Sequence, residues 1–332
     1  MLKKTVLAVA AGIVCSLCSS MVHAEVEYKL INSYRYYKTM YEAALPTDYM
    51  SFAFGSGNDN IGGYEEDAER NTEGLPNAFR VGSEKGQMWI LDNVNAALKL
   101  FYYGKCTKSI DIKKFENIHD FTVSSSGKIA FLNRDKGIVF VTDDKGEVTS
   151  EFKGFECANS IEFTADDDML IFSPLAGGVA RVSVIGALKD MYKADDSLST
   201  YETEKGIWGI EHNYSDVAKL YIRTGVEPEN VKILAEIPFK DFKDVVYKGA
   251  EIYGFDAEGN VHFGLVATDP DGIIYRERLY KCSPDGKILS EKDVIAPLPA
   301  ISPSLPRHRV VTPDGTVIGF YADGKNYYLC KW

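Results

Sequence analysis

The 332-residue sequence lacks the short motifs that identify most enzyme classes. No G-x-S-x-G, G-x-x-x-x-G-K-[ST] or H-E-x-x-H pattern occurs, and no G-x-G-x-x-G follows a strand-like run. The signatures of serine hydrolases, P-loop enzymes, zinc proteases and dinucleotide-binding folds are therefore missing. After residue 24 there is also no C-x-x-C, so structural zinc, thioredoxin-like redox chemistry and c-type haem have no motif.

Long hydrophobic runs are also missing. The longest, at residues 6–17, is shorter than the roughly 18 to 20 residues that a membrane span needs. Two lysines precede this run, and Val22-His23-Ala24 is an acceptable signal-peptidase site. We therefore interpret residues 1–24 as a cleaved export signal, which predicts a periplasmic or extracellular protein. Lipid attachment at Cys18 is a less favoured alternative, since Leu17 stands where a small residue is needed.

The sequence has fewer basic than acidic residues. There are 37 Lys and Arg against 48 Asp and Glu, which gives a formal net charge of -11. Phosphate backbones and anionic lipids repel such a chain, so nucleic acid is excluded as a partner. The 20 Tyr and 17 Phe instead favour β-sheets, in which flat side chains cover neighbouring strands.

Only four cysteines remain after the predicted signal: Cys106, Cys157, Cys282 and Cys330. Four cysteines allow three disulfide pairings, and their spacing does not choose among them. A Cys282–Cys330 bond is not predicted, because the two residues occupy similar positions in neighbouring repeats and should lie beyond the ~7 Å reach of a disulfide. Buried free thiols are the alternative.

The clearest pattern is at residues 118–152, where four short apolar runs are separated by Gly, Asp, Asn and Ser clusters. This pattern predicts a four-stranded antiparallel meander with tight turns. Similar units recur along the chain. The turns between their first two strands are predicted at Gly86, residues 125–128, Asp167, residues 204–206, Gly259 and Gly315. Third strands are predicted at residues 97–102, 138–142, 179–184, 219–222, 278–282 and 327–330, and fourth strands at residues 107–112, 148–152, 231–237 and 288–294.

Six units over residues 75–332 predict an all-β, six-bladed β-propeller, and the sixth unit stops after its third strand. We therefore expect residues 25–74 to supply a closing strand, at 26–31 or 49–54, together with a short helix at 34–46 and an entry loop. A seven-bladed ring and a β-sandwich are the alternative architectures.

The units resemble the blades of propellers in the NHL-repeat, TolB-like and gluconolactonase-like group. Residues 81–93 and 123–134 carry the resemblance best, with an apolar pair, a Gly-containing turn and then a strand such as Met-Trp-Ile-Leu-Asp. The resemblance implies the architecture and a binding surface at one end of the central channel. It does not by itself imply an activity.

Polar residues recur where this end of the channel is expected. Adjacent antiparallel strands place the start of each first strand beside the end of each second strand. The first set contains Asn77, His119, Asn159, Glu251 and Arg307, and the second contains Asp92, Asn133 and Arg134. We predict that they form a ligand site, with the alternative that they only line a water-filled channel.

The favoured function is a binding or protein-interaction module, with a protein, small-molecule or carbohydrate partner and no predicted cofactor. The alternative is a metal-dependent, lactonase-like hydrolase in the channel. For this alternative Asn77, Asp92, Asn159 and Glu251 would hold Ca²⁺ or Mg²⁺ through oxygen ligands. A lyase with His119 or His308 as the base is a third hypothesis.

Overall fold

The structure, a computed structural model, describes residues 47–63, 76, 78–173, 178–193, 201–211, 216–225, 230–239, 247–268, 275–295, 309–322 and 326–332. The predicted signal at 1–24, the strand candidate at 26–31 and the predicted helix at 34–46 lie outside these residues. Within the described ranges, no helix is both long and apolar enough to cross a membrane.

The described residues form six four-stranded antiparallel sheets, which are the blades of a six-bladed β-propeller. The chain first contributes β1 (Thr47–Ala53). Blade 1 contains β2 (Phe79–Val81), β3 (Gln87–Asp92), β4 (Ala97–Tyr102) and β5 (Lys105–Asp111). Blade 2 contains β6 (Asp120–Val123), β7 (Ile129–Asn133), β8 (Ile138–Thr142) and β9 (Val148–Lys153). Blade 3 contains β10 (Ser160–Phe163), β11 (Met169–Ser173), β12 (Gly178–Val182) and β13 (Leu188–Lys193).

The second half repeats this order. Blade 4 contains β14 (Tyr201–Thr203), β15 (Gly206–Glu211), β16 (Val217–Arg223) and β17 (Val231–Pro238). Blade 5 contains β18 (Tyr247–Phe255), β19 (Val261–Thr268), β20 (Tyr275–Cys282) and β21 (Ile288–Ile295). Blade 6 contains β22 (Arg309–Val311), β23 (Val317–Ala322) and β24 (Asn326–Lys331). A short 3₁₀ helix at Lys113–Phe115 lies between blades 1 and 2.

The fourth strand of blade 6 is β1, which overlaps the strand candidate at residues 49–54. It pairs antiparallel with β24, with Ala53 opposite Asn326 and a register shift between Asp48 and Met50. The ring of Phe52 lies 4.4 Å from that of Phe101 in blade 1, centroid to centroid. The strand therefore packs against both ends of the repeat array.

The predicted turns join the first and second strands of every blade. In blade 2 the N–H of Ser124 donates to the carbonyl of Lys128 at 2.9 Å, with Gly127 at φ 85°. This left-handed conformation favours glycine because it has no Cβ. In blade 3 Asp167 takes the same place at φ 62°, since Asp tolerates this conformation better than most residues.

The core lies between the blades. All five residues of β7 and of β11 are buried, because second strands pack against a neighbouring sheet on each face. The fourth strand β5 alternates instead between exposed and partly buried residues, as expected at the rim of the ring. The described ranges contain four free cysteines, of which Cys282 and Cys330 are buried.

One strand differs from the sequence prediction, because no fourth strand was predicted for blade 3, where the structure has β13. The third strands were predicted to within a few residues, and those at Ala97–Tyr102 and Ile138–Thr142 have the predicted bounds.

Candidate functional site

Two of the predicted site residues, His119 and Asn159, occupy equivalent positions in adjacent blades. The N–H of His119 donates to the carbonyl of Leu132, and that of Asn159 to the carbonyl of Phe172, each at 2.8 Å. Both residues are half-buried and immediately precede the first strands of blades 2 and 3.

Those two first strands run side by side. A carboxylate oxygen of Asp120 accepts from the N–H of Ile161 at 3.0 Å, and the hydroxyl of Thr122 accepts from the N–H of Phe163 at 3.2 Å. Side chains of β6 therefore satisfy backbone donors on the free edge of β10, which would otherwise be unpaired. This arrangement places His119 and Asn159 at the same end of the ring.

Glu251 does not share this position, which corrects the alignment made from the turns. A β-bulge at Tyr253 inserts one extra residue into β18, so that Glu251 lies opposite Gly264. In blade 2 the corresponding residue is Asp120, which lies opposite Leu132. The bulge therefore moves Glu251 one place further into the strand, where it is buried.

Asn77, Arg307 and His308 lie outside the described residues. Five residues were predicted to share one position before the first strands. His119 and Asn159 do share it, and Glu251 lies one place further along its strand.

Asp92 and Asn133, predicted at the end of the second strands, are fully buried and hydrogen-bonded. Asp92 lies 2.9 Å from the ammonium of Lys99 and accepts from the N–H groups of Gly62 at 3.0 Å and Asn95 at 3.2 Å. Its carboxylate therefore holds the β3–β4 loop against the segment that precedes blade 1.

Asn133 has the same role in blade 2. Its amide nitrogen donates to the carbonyl of Glu116 at 2.9 Å, and its amide oxygen accepts from the N–H of Lys136 at 3.0 Å. Both side chains tie a loop to the connection that enters their own blade.

His119, Arg134 and Asn159 differ from these two, because each is half-buried and has no side-chain hydrogen bond within the described part of the chain. Burial lowers the pKa of His119, and the nearby charge of Arg134 lowers it further, against the opposing effect of Asp120 and Asp135. The imidazole is therefore neutral at pH 7 and can both donate and accept. We call these three residues the mouth cluster.

A buried polar cluster between blades 5 and 6 was not predicted. The hydroxyl of Tyr253 donates to one oxygen of Glu277 at 2.7 Å, and the guanidinium of Arg309 donates to the other at 2.7 Å. Arg309 also stacks on Trp332, 4.1 Å from the ring centroid. Burial and the charge of Glu277 raise the pKa of Tyr253 well above its usual value, so the phenol is neutral. We call Tyr253, Glu277 and Arg309 the inter-blade cluster.

Glycines make room for this cluster. A Cβ on Gly264 would lie 2.0 Å from the Tyr253 hydroxyl, and one on Gly319 would lie 2.0 Å from a guanidinium nitrogen of Arg309. The isolated glycines in β19 and β23 could have signalled a close approach by a large side chain, although they do not reveal which one.

Among the described residues, no three His, Cys, Asp or Glu side chains come together as a metal site. Of the oxygen ligands considered for Ca²⁺ or Mg²⁺, Asp92 is paired with Lys99 and Asn77 lies outside the described ranges.

This protein is therefore a six-bladed β-propeller, and structure comparison finds solved structures with the same fold. A member of the DUF4221 family from Bacteroides vulgatus is similar with a TM-score of 0.53 and 10% identity, over 86% of this chain and 97% of that one. An inactive virginiamycin B lyase from Staphylococcus aureus, solved with quinupristin, has a TM-score of 0.47 and 11% identity, over 77% and 94% of the two chains. The propeller domain of Cps50 (Swd1) from Myceliophteria thermophila has a TM-score of 0.47 and 9% identity, over 77% and 96%.

At these identities the likeness extends to the fold alone. No known family model matches this chain, and no curated protein is similar to it in sequence.

Proposed function

We propose that this propeller is a binding module, and that its mouth cluster binds a carboxylate or carbonyl group of the ligand. The observation that supports the proposal is the contrast among the predicted site residues. Asp92 and Asn133 use their polar atoms within the fold, whereas His119, Arg134 and Asn159 form no side-chain hydrogen bond within the described residues. Half-buried polar groups of this kind gain most from a partner that hydrogen-bonds to them.

The three side chains suit a negatively charged or carbonyl-bearing group. A guanidinium can bind a carboxylate through two parallel hydrogen bonds, and the amide of Asn159 and a neutral imidazole can each supply a further donor. The three residues adjoin the ends of β6, β7 and β10, which fix their backbones and so lower the entropic cost of binding. A protein, a small molecule and a carbohydrate can each present such a group, so all three are candidate partners.

Two finer statements about the chain are also proposals. We propose that residues 1–24 direct export and that the protein acts in the periplasm or outside the cell. Mass spectrometry of the mature protein, with a new amino terminus expected at Glu25, tests this. We further propose that pairing of β1 with β24 closes the ring, as in the NHL-repeat and TolB-like propellers that the repeats resemble.

The binding proposal is tested by calorimetric titration with acidic probes and their neutral counterparts. A glutamate oligopeptide is compared with a glutamine oligopeptide, and a galacturonate oligomer with a galactose oligomer. We expect one acidic probe to bind more tightly than its neutral counterpart, and Arg134→Gln to weaken that binding about tenfold or more.

Lys145→Gln is the matched control, because it removes the same charge from an exposed β8–β9 turn at the opposite end of the blade. The proposal is wrong if the acidic probes bind no better than the neutral ones, or if the two variants weaken binding equally.

A further inference from the structure

Blade 3 contains a cavity at a place where blade 2 carries aromatic side chains. It has a volume of about 330 Å³ and lies between β11, β12 and β13 and the segment that enters the blade. Its lining residues are Gly154, Phe155, Glu156, Cys157, Ile171, Ser173, Gly178, Ala180 and Met191. An engineered apolar cavity of about 150 Å³ can hold benzene, so this one has room for a ring with a polar substituent.

The two blades can be compared residue by residue, because their strands and loops have the same register. Asn133 lies opposite Ile138, Ser173 lies opposite Gly178, and in each pair four residues separate the two in sequence. The third strands match in the same way, with Phe140 opposite Glu151 and Ala180 opposite Met191.

In blade 2 this space is filled by aromatic rings. Phe115 stacks on Phe131 and packs at a tilt against Phe140, with ring centroids 5.0 Å and 4.9 Å away. The equivalents in blade 3 are Phe155, Ile171 and Ala180. One aromatic residue is retained, while the other two are replaced by a smaller aliphatic side chain and by a methyl group.

The polar side chain at the end of the second strand is also shortened. In blade 2 the amide of Asn133 reaches the carbonyl of Glu116. Ser173, its equivalent, is only 6% exposed, and its hydroxyl has no hydrogen-bond partner within the described residues. It lines the cavity together with Glu156, the equivalent of Glu116. Relative to blade 2, blade 3 thus lacks aromatic volume and a carboxamide at adjoining places.

We propose that this cavity binds a small molecule with an aromatic body and a primary amide, or a head group with the same donors and acceptor. The ring lies among Phe155, Ile171, Ala180 and Met191, where blade 2 carries its own rings. The amide nitrogen donates to the backbone carbonyl of Glu156, and the Ser173 hydroxyl bonds to the amide. A carboxylate head is disfavoured, because it has no hydrogen to donate to a carbonyl and is repelled by the Glu156 side chain. None of the mouth-cluster residues is among those that line this cavity.

Benzamide is the probe. Toluene is the control that lacks the polar head group, and benzoate is the control whose head group has no N–H donor. Titration of the full chain carrying ¹³C-methyl methionine reports on the cavity, because Met191 lines it and Met88 is buried in blade 1. We expect benzamide to shift the Met191 resonance saturably, with a dissociation constant on the order of 1 mM for so small a ligand, and to leave Met88 unchanged. Benzoate should bind about tenfold more weakly.

Ala180→Phe fills the cavity with the residue that blade 2 carries there, and we expect it to abolish the benzamide shift. Ser173→Ala keeps the volume and removes the hydroxyl, so it should weaken benzamide about fivefold and leave toluene unchanged. If Ala180→Phe does not fold, Ile171→Phe replaces it, since it introduces the other ring that blade 2 carries, at Phe131, and keeps the Met191 reporter.

Saturable binding that survives the filling variant would overturn the proposal, as would a Met191 resonance that does not move up to about ten times the expected dissociation constant. Benzoate binding as tightly as benzamide would contradict the assigned head group. Lys145→Gln, which is far from the cavity, is the control for general effects of substitution.

Discussion

The inter-blade cluster and the mouth cluster both contain an arginine among other polar side chains, but their hydrogen-bonding groups are used differently. Arg309 and Glu277 are almost completely buried and bonded to each other. Arg134, His119 and Asn159 are half-buried and form no side-chain hydrogen bond in the described part of the chain. A polar residue near the axis of a propeller is therefore not by itself a sign of function. What distinguishes a candidate site is the capacity for hydrogen bonds that the fold leaves unused.

The largest test of this comparison is Arg309→Met. It leaves the buried carboxylate of Glu277 without its cation, so we expect a loss of about 3–5 kcal/mol in the free energy of unfolding, measured by urea denaturation. The double variant with Glu277→Gln removes both charges and should lose less than the single one. A loss below about 1 kcal/mol for Arg309→Met would contradict the view that the inter-blade cluster is structural.

Asn133→Ser tests whether the predicted site residues that are hydrogen-bonded within the fold, Asp92 and Asn133, contribute to stability. Serine is the residue at the equivalent place in blade 3, but in blade 2 it cannot reach the carbonyl of Glu116, so we expect a loss of about 1–3 kcal/mol. The same measurement on Asn159→Ser is the control, with little expected change. Equal losses from the two variants would contradict the view that the Asn133 amide stabilises the fold and the Asn159 amide does not.

The pH dependence of stability tests whether buried histidines, including His119 of the mouth cluster, are kept neutral by the fold. Burial lowers the pKa of both His119 and His262 in the folded state, so the unfolded chain binds more protons near pH 6. Stability should therefore fall as pH drops below about 6.5, the usual histidine value, and level off below the folded pKa values. Thermal melts from pH 8 to 5 measure this, and His119→Gln should reduce the slope. An unchanged slope would indicate that His119 does not contribute.

A second decline is expected under more acidic conditions. Hydrogen bonds from Thr312 and Thr316 lower the pKa of Asp314 to about 2, so its stabilising contribution is present above the usual value near 3.8 and is lost as pH falls towards 2. Asp314→Asn should flatten the melting curve in this window. If the decline between pH 4 and 2 is the same in the variant, other carboxylates cause it.

The smallest effect on stability is expected in the mouth cluster. Asn159→Ala removes a half-buried amide without a side-chain hydrogen bond in the described structure, so the free energy of unfolding should change by about 0.5 kcal/mol or less. Binding of the preferred acidic probe should nevertheless weaken. A variant that destabilises the fold as strongly as Asn133→Ser would show that the mouth cluster, too, serves the fold.

Much of the fold could be predicted because turns and apolar runs are local signals. The turns at Gly127, Gly259 and Gly315 require a left-handed residue, and this requirement is visible in the sequence. The strand β13 was missed because Leu-Lys-Asp-Met-Tyr-Lys lies at the rim, where only one face is covered and the apolar pattern is weak.

The candidate site was harder to predict because its details depend on contacts between distant residues. The bulge at Tyr253 changes the register of Glu251 without changing the spacing to the turn, so sequence alignment could not detect it. The partners of Asp92 include Gly62, which lies 30 residues away. Likewise, Glu277 and Arg309 lie in different blades. Sequence could therefore propose which residues lie near the axis, but not which of them the fold already uses.

The pairing of β1 with β24 has a consequence for how the protein acquires its structure. Nearly the whole propeller separates these two strands in sequence, so their contact carries a large loop-closure entropy until the intervening sheets have formed. Contacts of such high sequence separation slow folding. We therefore expect the final sheet to assemble last, and the exposed edge of β24 to be the place where an incompletely folded chain is most prone to pair with another copy.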